Sequence, residues 1–252
     1  FFQTVVGAWP PGMDLPDDDY RARIRAYMVK AAREAGARTS WLDPNDAYEA
    51  VLHEFADAAL DPVRSAPLLG EIRQFVGRVA PAGVVNSLAQ LALKLVCPGV
   101  PDFYQGVESW DLSLVDPDNR RPIDFRQRVE ALDEVQGIPL AEHARLASEL
   151  LASWTDGRVK LLVTERGLAA RQRQPGLFST GAYLPAKATG EHATRVVVAF
   201  RQLNREWAAV VVPRLPLSLA PGGGFPLGMA VWGNTAVILP DEAPTAWQNA
   251  LT

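Results

Sequence analysis

Near Gln174 the spacing of apolar residues changes from a helical period to a strand period, and this restricts the chain to a helical part followed by a β part. Upstream, Tyr20, Ile24, Tyr27, Met28, Ala31 and Ala35 recur at helical spacing and predict a helix over 17–36. Asp17, Asp18 and Asp19 suit its positive end and Gly36 its stop. Asp43-Pro44 reads as a cap opening a second helix, with Tyr48, Val51, Leu52, Phe55 and Ala59 inward. A third is expected over 67–79, with Leu68, Leu69, Ile72, Phe75, Val76 and Val79 inward. Pro81 then starts a fourth, apolar on nearly all sides. Further helices are predicted near 125–135, 139–153 and 156–173. Downstream, strands are expected at 195–203, 207–213, 229–232 and 235–239, with turns at Asn204-Arg205 and Gly233-Asn234.

Between the helices lies 96–104, short, apolar and broken by Pro98 and Pro101, which predicts a strand buried on both faces. With 48% apolar and 21% charged residues, the 252-residue chain can build a sizeable core. The net charge of −4 offers no basic field, so nucleic acid is not an expected partner. A single cysteine, Cys97, excludes an internal disulfide and a cysteine-based zinc site, and it is expected to be buried and inert. The three histidines show no metal-ligand spacing. No apolar run approaches the length a membrane helix needs, and no signal segment opens the chain, so a cytoplasmic location without a membrane partner is expected. The opening FFQTVVGAWPPG lacks Met and begins within an apolar pattern, so the chain is expected to be a fragment.

The densest polar stretch follows the expected strand. In Asp116-Pro117-Asp118-Asn119-Arg120-Arg121-Pro122, two carboxylates, an amide and two guanidiniums lie between prolines that restrict the backbone. Planar donor forks beside acceptors suit paired sugar hydroxyls; equally, the carboxylates could merely tie down the arginines in a surface turn. Gln105 and Glu108 follow a strand end, where α/β folds bind ligands; equally, Glu108 could form an internal salt bridge. Trp41, beside Thr39 and Ser40, could stack on a sugar or pack in a helix–helix corner. Lys30 and Glu34 read as a solvated helical pair. Asp102, Glu108, Asp111, Asp116 and Asp118 are carboxylates near one another in sequence, yet none has a context that marks it as catalytic.

PGVPDFYQGVE resembles the last barrel strand and exit loop of α-amylase-type glycoside hydrolases (family 13). WDLSLVDPDNRRPIDF, AYMVKAAREAGARTSWLDPNDAYE, RVKLLVTERGLAARQRQPGLFSTGAYLP and WGNTAVILP narrow the resemblance to the maltooligosyl trehalose synthases and extend it over nearly the whole length. The resemblance implies a (β/α)8 barrel, of which this chain would hold a helical insertion over 1–95, the last strand, substrate-side loop and following helices over 96–175, and an antiparallel β domain over 176–252. It implies that the reducing-end α-1,4 bond of a maltooligosaccharide is moved to an α,α-1,1 bond through a covalent glycosyl–enzyme intermediate, with no metal or organic cofactor. The catalytic carboxylates would sit on earlier barrel strands, so no catalytic residue is expected here and the chain alone should be inactive. Its partners would be a maltooligosaccharide and the N-terminal barrel portion of the same enzyme. Asp116 and Arg120 match polar residues of the substrate cleft, with Gln105, Glu108, Asp118 and Trp41 as further candidates. Two other readings are an α-glucan hydrolase of the same clan and a non-catalytic carbohydrate-binding module using Trp41, Trp110 and Trp232.

Overall fold

The computed structural model describes residues 1–252, apart from the side chain of Leu140. It divides into two compact units: residues 1–77 with 111–122, and residues 78–110 with 123–252. The divisions do not fall at 95 or 175.

The first unit holds α1 (Phe2–Gly7), α2 (Asp18–Ala35), α3 (Asp46–Ala59) and the start of α4 (Ala66–Val96). The Asp17 carboxylate accepts from the Tyr20 N–H at 2.7 Å, and Gly36 ends α2 in the left-handed region at φ 63°. The cap of α3 is not Asp43-Pro44. Asn45 takes that place and accepts from Tyr48 N at 3.0 Å, because its carbonyl, two residues further on, is the one that lines up with the first helical turn. Tyr20 and Ile24 are buried with Val5, and the Tyr20 hydroxyl donates to the Val5 carbonyl at 2.6 Å. The inward face of α3 is rotated from the expected one. Ala56, Ala59 and Glu49 are buried, while Val51 and Phe55 lie largely exposed. Glu49 explains the rotation: Arg33 on α2 grips it with two bonds of 2.6 and 2.7 Å, and Thr39 donates to it at 2.6 Å.

The third and fourth expected helices are one. α4 runs unbroken from Ala66 to Val96 with Pro81 inside it. The ring removes one intrahelical bond, but Val76, Val84 and Val85 on either side are buried, and packing holds the helix through the defect. By length and composition α4 could cross a membrane, with mean hydropathy 1.4 over its most apolar window, contrary to the expectation that no segment would qualify. Asn86, Ser87 and Gln90 interrupt its apolar runs, which is why no single run stands out in the sequence.

In the second unit α4 packs through Leu91 and Leu95 against Val163, and through Ala89 against the sheet residues Ala199, Val210 and Val212. α5 (Phe125–Gln136), α6 (His143–Ala152) and α7 (Arg158–Arg173) share a core of Val135, Leu150, Val159 and Leu162. α8 (Pro175–Ser179) leads to an antiparallel sheet of β1 (Ala182–Ala186), β3 (Val196–Leu203) and β4 (Glu206–Pro213), with β3 central. The predicted turn joins β3 to β4, with Asn204 at φ 55° and Leu203 opposite Glu206. β2 (Ala188–Thr189) pairs with β5 (Ala236–Val237). Residues 229–232 are a helical turn, α9 (Met229–Trp232), rather than a strand; four apolar residues carry no period that separates the two.

No strand forms over 96–104 among the described residues. A strand needs a neighbour to satisfy its ladder, and none of the described strands pairs with this segment. Its backbone is held by side chains. Lys94 donates to the Asp102 carbonyl at 2.7 Å, and Arg171 to the Leu95 and Gly99 carbonyls at 2.6 and 3.1 Å. Arg201, 1% exposed on β3, donates to the Val96 carbonyl at 3.3 Å and to that of Gly181 at 2.7 Å. Two guanidiniums thus meet the negative end of α4, where cations are favoured. Cys97 is half-buried and hydrogen-bonded to Tyr183, whose phenol is pushed up by burial and by that contact.

Candidate functional site

The polar stretch after Tyr104 is divided between the units, with Gln105 and Glu108 in the second and Asp116, Asp118 and Arg120 in the first, together with Trp41. In the first unit, α2 braces the loop. Arg23 donates to Asp118 through Nε and Nη2, each at 2.9 Å, and to the Leu112 carbonyl at 2.7 Å. The Leu114 N–H donates to the same carboxylate at 2.6 Å, and Arg121 lies 3.6 Å from it. Burial pushes the Asp118 carboxyl up, but these donors outweigh burial and hold it below the usual carboxylate range.

Asp118 is therefore enclosed, its side chain 14% exposed and its oxygens occupied by Arg23 of α2 and by the Leu114 N–H of the loop. Asp118, expected as a substrate neighbour, braces the loop in this structure. Asp116 and Arg120 point the other way. They pair with each other across one turn and remain 50% and 70% exposed. Lys30 donates to the Asp116 carbonyl while keeping its ion pair with Glu34 at 3.6 Å, and Arg121 reaches Asp19 at 2.9 Å. The Asp116–Pro117 peptide is cis. A loop tied to α2 by Arg23 presents one carboxylate and one guanidinium to solvent, an acceptor beside a donor fork.

In the second unit Gly106 turns the chain at φ 90°, and Glu108 pairs with Arg128 at 2.6 Å, the internal bridge considered from sequence. Gln105 is exposed. Beside Glu108 opens a cleft of about 360 Å³ lined in part by Ser109, Arg128, Glu134, Asp156 and Arg158. Among the described residues no group of three His, Cys, Asp or Glu side chains is arranged to hold a metal ion.

Of the three tryptophans considered as stacking platforms, only Trp41 stands largely exposed, with the Arg33 guanidinium 5.0 Å from its ring centre. Trp110 packs into the helical core, and its indole donates to the Trp154 carbonyl at 2.5 Å. Trp232 is half-buried and donates to the Pro226 carbonyl at 2.7 Å. That removes two platforms from the binding-module reading. Sequence reasoning did not find Arg23 or Arg128. Both act on residues distant in the chain, and nothing in their local spacing distinguishes them from solvated helix arginines.

No family model matches the chain. Over 251 residues it is 36% identical to putative maltooligosyl trehalose synthases of two Mycobacterium tuberculosis strains, a match that takes in all of this chain and 28% of the relative. The maltooligosyltrehalose synthase of Arthrobacter ramosus superposes with a TM-score of 0.71 at 39% identity, over 94% of this chain and 27% of that one. Another solved maltooligosyl trehalose synthase superposes with a TM-score of 0.70 at 29% identity, over 84% of this chain and 26% of that one. The chain spans little more than a quarter of the length of the relatives it matches. In sequence and in fold it corresponds to a part of the maltooligosyl trehalose synthases.

Proposed function

We propose that the chain is the C-terminal segment of a maltooligosyl trehalose synthase and forms one wall of its substrate site. The observation that carries this is the 36% identity sustained over 251 residues to proteins of that name. In this reading the whole enzyme, a cytoplasmic member of glycoside hydrolase family 13, moves the reducing-end glucose of a maltooligosaccharide from an α-1,4 to an α,α-1,1 bond. A carboxylate outside this chain displaces the glucose, whose O4 takes a proton from an acid also outside this chain, and forms a glycosyl ester. The anomeric hydroxyl of the retained glucose then attacks that ester, returning its proton to that acid, and the carboxylate is released. Water must be kept out for the second step, or hydrolysis wins.

Asp116 and Arg120 are proposed to hold hydroxyls of the retained glucose, because they are exposed and paired on a loop that Arg23 and Lys30 hold still. Gln105, Glu108, Asp118 and Trp41 are each proposed as further substrate-binding residues of the whole enzyme. Residues 98–104 would complete a barrel when strands from the rest of the enzyme supply their ladder partners. The test is the product ratio of the full-length enzyme with maltopentaose. Arg120→Ala should raise free glucose relative to the non-reducing product several-fold, and an unchanged ratio and rate would remove Arg120 from the site.

A further inference from the structure

The segment 106–110 is gripped from behind by the ends of two helices. At Gly157, the residue before α7, φ is 81°, and an added Cβ would lie 2.1 Å from the Ser109 Oγ and 3.2 Å from the Trp110 nitrogen. A side chain there would turn the Ser109 hydroxyl aside and press on the Trp110 backbone, and the left-handed backbone itself favours glycine. One turn on, Lys160 Nζ donates to the Ser109 carbonyl at 3.0 Å and lies 5.6 Å from the centre of the Trp110 ring. From α5, Arg128 holds Glu108 at 2.6 Å and reaches the Gly106 carbonyl at 3.4 Å. A lysine in the first turn opposes the helix dipole, and α7 has no acidic residue in that turn. Its contact with Ser109 and Trp110 gives Lys160 a reason to be there.

We propose that Gly157 and Lys160 are positioning residues for the substrate-side segment. They fix Ser109 and Trp110, and through them the direction in which Glu108 and Gln105 face the sugar; the proposal rests on the function given above. Neither residue touches substrate. Their loss loosens the wall that retains the freed glucose, so the effect falls on the partition between isomerisation and hydrolysis.

The test compares Gly157→Ala, Lys160→Met, Lys160→Arg and Val210→Ala in the full-length enzyme with maltopentaose, reading non-reducing product against free glucose together with kcat and KM. Val210→Ala serves as a purely structural control, because Val210 packs with Ala89, Ala199 and Val212 in the sheet core. Gly157→Ala and Lys160→Met should raise the glucose fraction at least threefold, Lys160→Arg should restore part of the loss, and Val210→Ala should lower only the melting temperature. The ratio is independent of the amount of folded enzyme, and Lys160→Met decides the matter where Gly157→Ala does not fold. A folded Lys160→Met with the parental ratio overturns the proposal while the functional reading stands. A parent that forms no non-reducing product overturns both.

Discussion

Arg23 closes on Asp118 with two bonds of 2.9 Å, joining residues 95 apart in sequence. Only 11% and 14% of these side chains are exposed, so the pair works where water screens it little. It ties the candidate sugar-binding loop to α2 and leaves Asp116 and Arg120 outside.

Asp118→Ala should therefore cost about 2–3 kcal/mol, because it leaves the Arg23 guanidinium and the Leu114 N–H without their acceptor. Chemical denaturation measures the loss, and hydrogen exchange should localise faster opening to residues 111–122. A loss no larger than that of an exposed pair such as Arg126–Glu130 would contradict the bracing role.

Glu49 gives the first unit an acid-sensitive joint. Hydrogen bonds from Arg33 and Thr39 bring its carboxyl from 4.5 down to about 2. A folded value below the unfolded one stabilises above the unfolded value, so this contribution is present above about pH 4.5 and disappears as the pH falls toward 2. Melting temperature against pH should fall through that window, and Glu49→Gln should flatten the fall. Parallel curves would contradict the assignment.

Arg201 should be among the least replaceable residues of the sheet. Arg201→Ala opens a cavity on β3 and strands the Val96 and Gly181 carbonyls, for an expected loss of about 2–4 kcal/mol in chemical denaturation. A loss below about 0.5 kcal/mol would show that water replaces the guanidinium without strain.

Much of this architecture was legible because it is local. α2, with its acidic start and Gly36 stop, and the turn at Asn204 follow from patterns within a few residues. What failed was non-local. Pro81 reads as a helix start until burial on both sides is seen, and residues 96–104 read as a strand until the absence of a ladder partner is seen. The inward face of α3 was misread because Glu49, a residue normally placed outside, is buried by Arg33 and Thr39. At the site, sequence brought out Asp116, Asp118 and Arg120 together. The split into one brace and one exposed pair depends on Arg23, which no spacing connects to them.

The central claim is that this chain supplies a substrate wall and not the reacting carboxylates. Loss of reducing sugar during incubation of the purified 252-residue chain with maltopentaose tests it most directly. The expected result is no loss, against a steady loss with the full-length enzyme at equal concentration. Reducing sugar that disappears with the 252-residue chain alone would contradict the account.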